Sequence, residues 1–394
     1  MDGENAHPLV HCYQIEDGEI HSLTLTNGSS GSGGALFCNR SELLLQDVAI
    51  TNSSADYGGG IFCYYYSDLT IVDSRISGNE ADCCYGGGLE CVSSNLTFTD
   101  VVIENNTARK GGGFYSYRNH VNLIRTAIVN NTALETGAAV FSIRDSSFVV
   151  NNCTVAGNQG CGEGAIHFAS HVSPVVVNSI FWDNESAPIM MTHEDELAEI
   201  VLTYNDIQSG QAALDLSDQV TLVWLEGNID SDPQFMDDTA EDWRLQSDSP
   251  CVGAATTFFA WHTDTLVNLT PDDYIGDAPD LGAYEFDPEA IGDTPGHLPR
   301  QITLEQNYPN PFNPGTAIKF SMPVATEIRL SVYNLLGQEV EVLAEGIYSA
   351  GIHQLRFDGS KLASGVYLYQ LSTLSDNRSG RPSELLCRKM VMIK

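Results

Sequence analysis

The hydrophobic positions of the chain repeat about every 26 residues. Apolar runs of four to six residues alternate with Gly, Asn, Asp and Ser, and a glycine-led run such as GGALFC (33–38) or GGGFYS (111–116) recurs in each repeat. The central apolar residues of these runs lie 25, 28, 25, 26 and 26 positions apart and are Leu36, Ile61, Leu89, Phe114, Val140 and Ile166. A fixed period of this length is typical of repeat architectures.

Two further apolar columns keep the same spacing. One reads Leu25, Ile50, Ile76, Ile103, Ile128, Val155 and Phe181, and the other, five residues earlier, reads Ile20, Leu45, Ile71, Phe98, Leu123, Val150 and Val176. Three short strands per repeat leave no room for a helix, so we expect one coil per repeat, with coils stacked as parallel strands about 4.8 Å apart. This pattern predicts a parallel β-helix, and the bias of parallel crossovers makes it right-handed.

Asparagine follows the first of these two columns by three residues in most repeats, at Asn79, Asn106, Asn131, Asn158 and Asn184. Stacked amides at an inner turn can bond from coil to coil and so satisfy polar groups that burial would leave unpaired. We therefore expect a structural asparagine ladder.

Charge separates the chain into two parts. The net charge is −34, and residues 1–290 hold 8 Lys and Arg against 43 Asp and Glu, whereas residues 291–394 hold 10 against 9. An acidic surface repels phosphate backbones and anionic lipid headgroups, which disfavours nucleic-acid and membrane-surface roles. The sequence also has no apolar run of about 18 residues, so we expect no transmembrane helix.

The repeat motifs point to known relatives. IENNTARKGGGF (103–114) and IVNNTALETGAAVF (128–141) resemble the repeats of polymorphic outer-membrane proteins and related right-handed β-helix proteins. GNIDSDPQF (227–235) and DLGAYEF (280–286) are similar to the closing region of secreted bacterial β-helix proteins. The resemblance implies a β-helix passenger over residues 1–286.

The C-terminal region is of a different kind. LEQNYPNPFNP (304–314), VYNLLGQEV (332–340), LASGVYLYQL (362–371) and RKMVMIK (388–394) are similar to the C-terminal sorting domain of type IX secretion cargo. The resemblance implies a small immunoglobulin-like β-sandwich at 303–394, joined by a linker at 287–302 and recognised by the type IX secretion machinery. The fold class predicted is therefore all-β, a right-handed parallel β-helix followed by that sandwich. The location implied is secreted, or the outer-membrane surface of a Gram-negative bacterium.

The start of the chain, MDGENAHPLV, has no basic region followed by an apolar segment, and Pro8 to Cys12 already align with a repeat strand. We therefore expect a signal peptide and further coils to precede the sequence given, since cargo of this type enters the periplasm through a signal peptide.

An aromatic column is the most specific candidate for a binding site. The ring positions, expected to face outward, are Phe37, Phe62, Tyr64, Tyr115, Tyr117 and Phe141, and Glu90 and His167 fall in the same column. Exposed rings spaced by one strand separation can stack on sugar rings or bind another protein. The alternative is that the rings stack only on each other or lie under a loop.

A second candidate is a column of charged residues at a turn. Asp73, Asp100 and Arg125 are candidate catalytic residues, because polysaccharide-degrading β-helix enzymes use carboxylates, often with calcium and a basic residue. The alternative is that Asp and Asn cap tight turns. Asp230 and Asp232 are candidate calcium ligands, although the sequence favours a solvated acidic loop.

Four cysteines, Cys12, Cys38, Cys63 and Cys91, share one inward column. Parallel stacking keeps their Cβ atoms farther apart than a disulfide prefers, so we expect buried thiols, with a metal or redox role as the alternative. For the whole passenger, the sequence favours an adhesin-like protein that binds an extracellular glycan or protein, with no cofactor except a possible calcium ion. A polysaccharide lyase or glycoside hydrolase is the alternative.

Overall fold

The computed structural model describes residues 7–160, 162–193, 197–237 and 242–288 and, in the C-terminal region, 302–304, 306–307, 309–322, 326–334, 338–348, 351–362, 364–373 and 385–393. These residues form β-strands and two short 3-10 helices, Gly210–Ala213 and Gly359–Lys361. The all-β fold is confirmed. Two compact units result, one holding nearly all described residues up to 288 and the other those from 302 onward. Most of the predicted linker, residues 289–301, lies outside the described residues.

Sheet A contains the glycine-led strand of each coil. Its nine strands pair in parallel in chain order and are Val10–Tyr13, Leu36–Asn39, Ile61–Tyr64, Leu89–Val92, Phe114–Tyr117, Val140–Ile143, Ile166–Ala169, Ile189–Thr192 and Asp215–Leu216. Consecutive members of the predicted Leu36 to Ile166 column are register partners throughout. This regular stacking confirms the β-helix.

Sheet B contains the other two apolar columns. Its thirteen strands are Gly18–Thr26, Glu42–Thr51, Asp68–Ser77, Asn95–Glu104, His120–Ile124, Ala127–Val129, Ser147–Asn151, Thr154–Ala156, Pro174–Val177, Ile180–Trp182, Ala198–Thr203, Asp206–Ile207 and Val220–Trp224. The first four are long strands that cover both columns, the next four coils have two shorter strands each, and the last has Val220–Trp224 alone. Ile71, Phe98 and Leu123 lie side by side in this sheet and are buried.

Sheet C is short and completes the coil. Its six strands are Ser29–Ser32, Ser54–Tyr57, Glu80–Ala81, Thr107–Lys110, Thr132–Thr136 and Gln159–Gly160. Glycines occupy the turn that leads from sheet C into sheet A, because this turn is tight. Gly111 has a φ of 65°, and a Cβ on Gly112 would lie 2.4 Å from the carbonyl oxygen of Ala138 in the next coil. Larger residues would therefore strain the backbone or push the coils apart.

The asparagine ladder is present and buried. Asn106 donates through Nδ2 to Oδ1 of Asn131 at 3.0 Å, and Asn131 donates to Asn158 at 3.1 Å. Each amide also donates to a backbone carbonyl, as Asn131 does to Ile103 at 2.9 Å. A second ladder follows sheet A, where backbone N–H groups bond to the side chains of the next coil at Ser67, Ser94, Asn119 and Asp145. Both ladders fix the register of coil on coil.

The closing region packs on the outer face of sheet B. It contains two antiparallel pairs, Phe235–Asp237 with Asp242–Leu245 and Phe258–Trp261 with Asp264–Asn268. Trp243, Leu245 and Leu281 form a buried cluster with Val129 and Ile180 of sheet B. Part of the outer face of sheet B is thus covered by the chain itself.

The C-terminal unit is a small antiparallel sandwich. One sheet holds Thr303–Leu304, Gly315–Met322 and Gly351–Asp358, and the other holds Glu339–Tyr348, Thr326–Asn334, Gly365–Thr373 and Leu385–Met392. Phe320 from the first sheet and Leu330 and Tyr369 from the second share one buried core. Two sheets packed on a common core match the predicted sandwich.

Candidate ligand groove

The outer face of sheet A presents the predicted aromatic column in register. Phe62 lies beside Phe37 on one side and Glu90 on the other, and Glu90 lies beside Tyr115. Side chains alternate between the two faces of a strand, so residues two positions further on also face outward. These second positions include Tyr64 and Tyr117.

The rings of this face contact one another. Phe37 and Phe62 have centroids 5.7 Å apart, and Phe62 stacks on Tyr64 at 5.5 Å with planes 19° apart. All three are half-buried, so each still presents ring surface to solvent. The rings therefore stack on each other and remain partly exposed, and ligand binding at this face stays a prediction.

An enlarged loop adds a ring that the column does not contain. Ten positions separate Asn79 from Leu89, against eight between Asn106 and Phe114 in the next coil. The longer loop carries a disulfide between the adjacent residues Cys83 and Cys84, followed at once by Tyr85. Tyr85 stacks on Tyr115 with centroids 4.6 Å apart and planes 15° apart.

Together these side chains line an open groove of about 440 Å³ on sheet A. Its lining residues are Ser32, Tyr57, Phe62, Tyr64, Tyr85, Glu90, Val92, Tyr115 and Tyr117. Five of the nine are tyrosines, which offer both a ring face and a hydroxyl. We call this the ligand groove.

Glu90 is the only acidic residue in that lining. It is 4% exposed, and no hydrogen-bond partner among the described residues reaches its Oε2 atom. Burial raises the pKa of the Glu90 carboxyl to about 8, and the backbone amide of Gly58 offsets only part of this effect. Burial and the nearby Glu90 also raise the pKa of Tyr115. The groove therefore holds a buried carboxyl that is mostly protonated at neutral pH.

Phe141 and Phe37 lie outside the groove. Phe141 is 7% exposed, because the ammonium group of Lys110 lies 5.2 Å from its ring centroid and His167 packs on it at 5.1 Å. It supports Tyr115, 5.6 Å away, and presents little surface of its own. Phe37 packs between Phe62 and His11, whose ring lies 4.8 Å away.

Comparison with protein families gives two matches. Residues 9–141 match the family described as right handed beta helix region, and residues 306–381 match the secretion system C-terminal sorting domain. The chain is a right-handed β-helix protein with a type IX sorting tail. Searches of curated proteins and of solved structures return no match.

The sorting tail implies export of the β-helix protein to the cell surface or the medium through the type IX machinery. Among the described residues, no helix has the length and apolar composition needed to cross a bilayer.

Two members of the candidate catalytic column of the β-helix protein, Asp100 and Arg125, form an ion pair at a bend in sheet B. Arg125 donates to both carboxylate oxygens of Asp100, each at 2.7 Å. Asp73, Asp100 and Arg125 all have positive φ angles, of 48°, 55° and 44°. Asp and Asn tolerate this left-handed conformation better than most residues, which accounts for their place in the column. The three are separate from the ligand groove lining.

The candidate calcium ligands of the β-helix protein are exposed and bonded to the backbone. Oδ1 of Asp230 accepts from the N–H of Ser209 at 2.9 Å, and Oδ1 of Asp232 accepts from Gln234 at 2.9 Å. In the part of the chain that the structure describes, no three or more His, Cys, Asp or Glu side chains cluster to hold a metal ion. A calcium site here would need backbone or water oxygens, and it stays a prediction.

Three of the four cysteines in the predicted inward column of the β-helix protein are buried, whereas Cys12 in the first strand is only partly buried. Cys38, Cys63 and Cys91 are register partners, fully buried and not disulfide-bonded. Burial and the neighbouring thiol of Cys63 raise the pKa of Cys91. Hydrogen bonds from the thiols of Cys38 and Cys91 lower the pKa of Cys63 instead, so the structural role of these cysteines rests on their burial and register, and a metal or redox role stays a prediction.

Proposed function

We propose that the β-helix passenger is an exported glycan-binding protein and that the ligand groove holds the sugar. The observation that carries the proposal is the groove itself, which brings ring faces from Phe62, Tyr64, Tyr85, Tyr115 and Tyr117 around one buried carboxyl. Flat aromatic rings offer an apolar face to the C–H groups of a sugar, while tyrosine hydroxyls and the carboxyl supply hydrogen bonds.

The support for these rings favours binding without a large rearrangement. Phe62, Tyr64, Tyr115 and Tyr117 project from hydrogen-bonded parallel strands rather than from loops. Sites on strands are held more precisely than sites on loops, so these side chains lose less conformational freedom when a ligand binds. A regular surface of this kind suits an adhesin-like protein displayed outside the cell.

The single carboxyl in the groove favours binding over hydrolysis. Most glycoside hydrolases use a pair of carboxyl groups on either side of the scissile bond. Glu90 has no second acid beside it among the described lining residues. Asp100 and Arg125 lie outside this lining and form an ion pair with each other.

The test is a glycan array on the purified full chain, followed by affinity measurements with Phe62→Ala, Tyr115→Ala and the double variant. Loss of a stacked ring should cost about 1–3 kcal/mol of binding free energy, by analogy with base stacking. Phe258→Ala removes a ring that is 60% exposed outside the groove and serves as the control. Glycan binding that is unchanged in the folded double variant would overturn the proposal.

A further inference from the structure

One oxygen of the buried Glu90 carboxyl lacks a hydrogen-bond partner among the described residues. Its side chain is more than nine-tenths buried and lines the ligand groove, yet Oε2 has no partner among the described residues. A buried polar atom without a hydrogen bond is costly, and native structures normally supply a partner. A ligand group in the groove can supply it.

The surroundings of Glu90 favour a positive partner. Tyr115 neighbours Glu90 on the next strand, and Tyr57, Tyr64, Tyr85 and Tyr117 also line the groove, so the titratable groups that face Glu90 are phenols. No Lys or Arg belongs to the described lining. Aromatic faces attract cations through their quadrupoles, and more strongly once water is excluded.

The net negative charge of the whole passenger also favours a positively charged ligand. Residues 1–290 hold 43 acidic against 8 basic side chains. Two basic groups sit on rings of this face, with Lys110 over Phe141 and Arg118 over Tyr117. A strongly acidic protein repels uronic acids and sulfated sugars and concentrates cations at its surface.

We propose that the ligand groove selects a glycan bearing free primary amines, that is, an amino sugar whose ammonium group binds Oε2 of Glu90 while the sugar ring packs on the aromatic side chains. This inference rests on the proposed glycan-binding function and specifies its substrate class. It also assigns Glu90 as the specificity-determining residue. Binding requires the Glu90 carboxyl to release its proton to solvent, so that carboxylate and ammonium pair in the groove.

The experiment compares two oligosaccharides with the same backbone that differ in N-acetylation, which removes the amine charge and adds an acetyl group. Tetramers of β-1,4-linked glucosamine and of N-acetylglucosamine are titrated by calorimetry into the full chain at about pH 6, where amines of this kind are protonated. We expect the glucosamine tetramer to bind at least about tenfold more tightly and about one proton to be released per site, measured from the heat in buffers of different ionisation enthalpy.

Glu90→Gln keeps the shape of the side chain and removes its ionisation. We expect this variant to lose both the preference for the amine and the proton release, while circular dichroism shows an unchanged fold. Equal binding of the two tetramers, or a preference that survives in Glu90→Gln, overturns the inference and leaves glycan binding intact. If neither tetramer nor any glycan on the array binds, the proposed function fails as well. If the variant does not fold, the absence of proton release by the wild-type protein is sufficient to overturn the inference.

Discussion

Tyr85 lies almost flat on Tyr115, with ring centroids 4.6 Å apart and planes 15° apart. Tyr115 belongs to sheet A, whereas Tyr85 belongs to the loop that follows the strand Glu80–Ala81. The residues just before Tyr85 are the disulfide-bonded pair Cys83 and Cys84. A cross-link between adjacent residues restricts the backbone that positions Tyr85, so we expect one wall of the ligand groove to respond to the oxidation state of this pair.

Reduction of the Cys83–Cys84 disulfide should weaken ligand binding. Without the cross-link the Tyr85 ring has more conformations to lose on binding, which costs about 0.5–1.5 kcal/mol, or about two- to tenfold in affinity. The measurement is calorimetry on oxidised and dithiothreitol-treated protein, with mass spectrometry to count the free thiols.

The double variant Cys83→Ser with Cys84→Ser should bind as weakly as the reduced protein and should not respond to dithiothreitol. Cys387→Ser, which removes an exposed free thiol in the C-terminal unit, is the control. Identical affinities for the oxidised and reduced wild-type protein would show that the disulfide does not shape the groove.

Glu90 should make the β-helix less stable as the pH rises. Burial raises its pKa from the usual 4.5 to about 8. Below pH 4.5 the carboxyl is protonated in both the folded and unfolded states, so its ionisation does not affect the free energy of unfolding. Between these two pKa values the unfolded chain releases the proton and the folded chain keeps it, so the free energy of unfolding falls with rising pH.

Glu90→Gln should therefore be more stable than the wild-type protein by an amount that grows from about pH 5 and reaches about 2–5 kcal/mol near pH 8. Urea unfolding of both proteins across this range measures the difference. The comparison isolates Glu90, because the other buried acids with raised pKa values, such as Asp145 and Asp206, are present in both. A difference that does not change with pH would show that Glu90 is ionised in the folded protein.

Much of the fold could be predicted because it follows from the spacing of the repeated apolar residues. Once strands stack in register, residues 25 to 28 positions apart must become neighbours, and the pairing of Leu36 with Ile61 follows from that spacing alone. The asparagine ladder was predictable for the same reason. The serine ladder through Ser67 and Ser94 was missed, although its members keep the same period, because serine is common at all turns of the sequence.

The site was less predictable. The repeat spacing determines which residues are neighbours within a sheet, but it does not determine which side chains from other segments cover them. Phe141 was expected on the ligand face, but Lys110 from sheet C covers it. Tyr85 lies outside the aromatic column and reaches the groove only through the longer loop. Glu90 was recognised as a member of the column, and the signal of its importance was available there, since it replaces a ring between Phe62 and Tyr115.

Asn131 should be a strong contributor to the stability of the β-helix. Its amide donates to Asn158, Ile103 and Val129, and its Oδ1 accepts from Asn106. Asn131→Ala removes these buried bonds and leaves the backbone N–H of Asn106 without its Asn131 acceptor, so we expect a loss of about 2–4 kcal/mol in the free energy of unfolding. Asn95→Ala is the matched control, because Asn95 is exposed and bonds only with Asp68 across the surface among described residues.

Urea unfolding of the two variants, followed by circular dichroism, measures this difference. Asn95→Ala should stay within about 0.5 kcal/mol of the wild-type protein, as surface changes usually do. Similar losses in both variants would indicate that the ladder contributes no more than a surface amide.

Removal of the sorting tail should separate export from folding. The match to the sorting family covers residues 306–381, and the sandwich has its own buried core around Phe320 and Tyr369. A chain ending at residue 302 keeps every strand of the β-helix, so it should fold but lose recognition by the type IX machinery. We expect the shortened passenger, expressed in a native host behind a signal peptide, to accumulate in the periplasm, while the full-length protein reaches the surface or the medium.

Cell fractionation and surface labelling of the two proteins measure the outcome. Tyr369→Ala within the full chain is a second variant, because loss of a buried ring in the sandwich core should disturb the fold of the tail while the passenger sequence is unchanged. It should reduce export in proportion to the loss of folded tail. Display of the shortened passenger at the cell surface at the full-length level would show that export does not depend on residues 303–394.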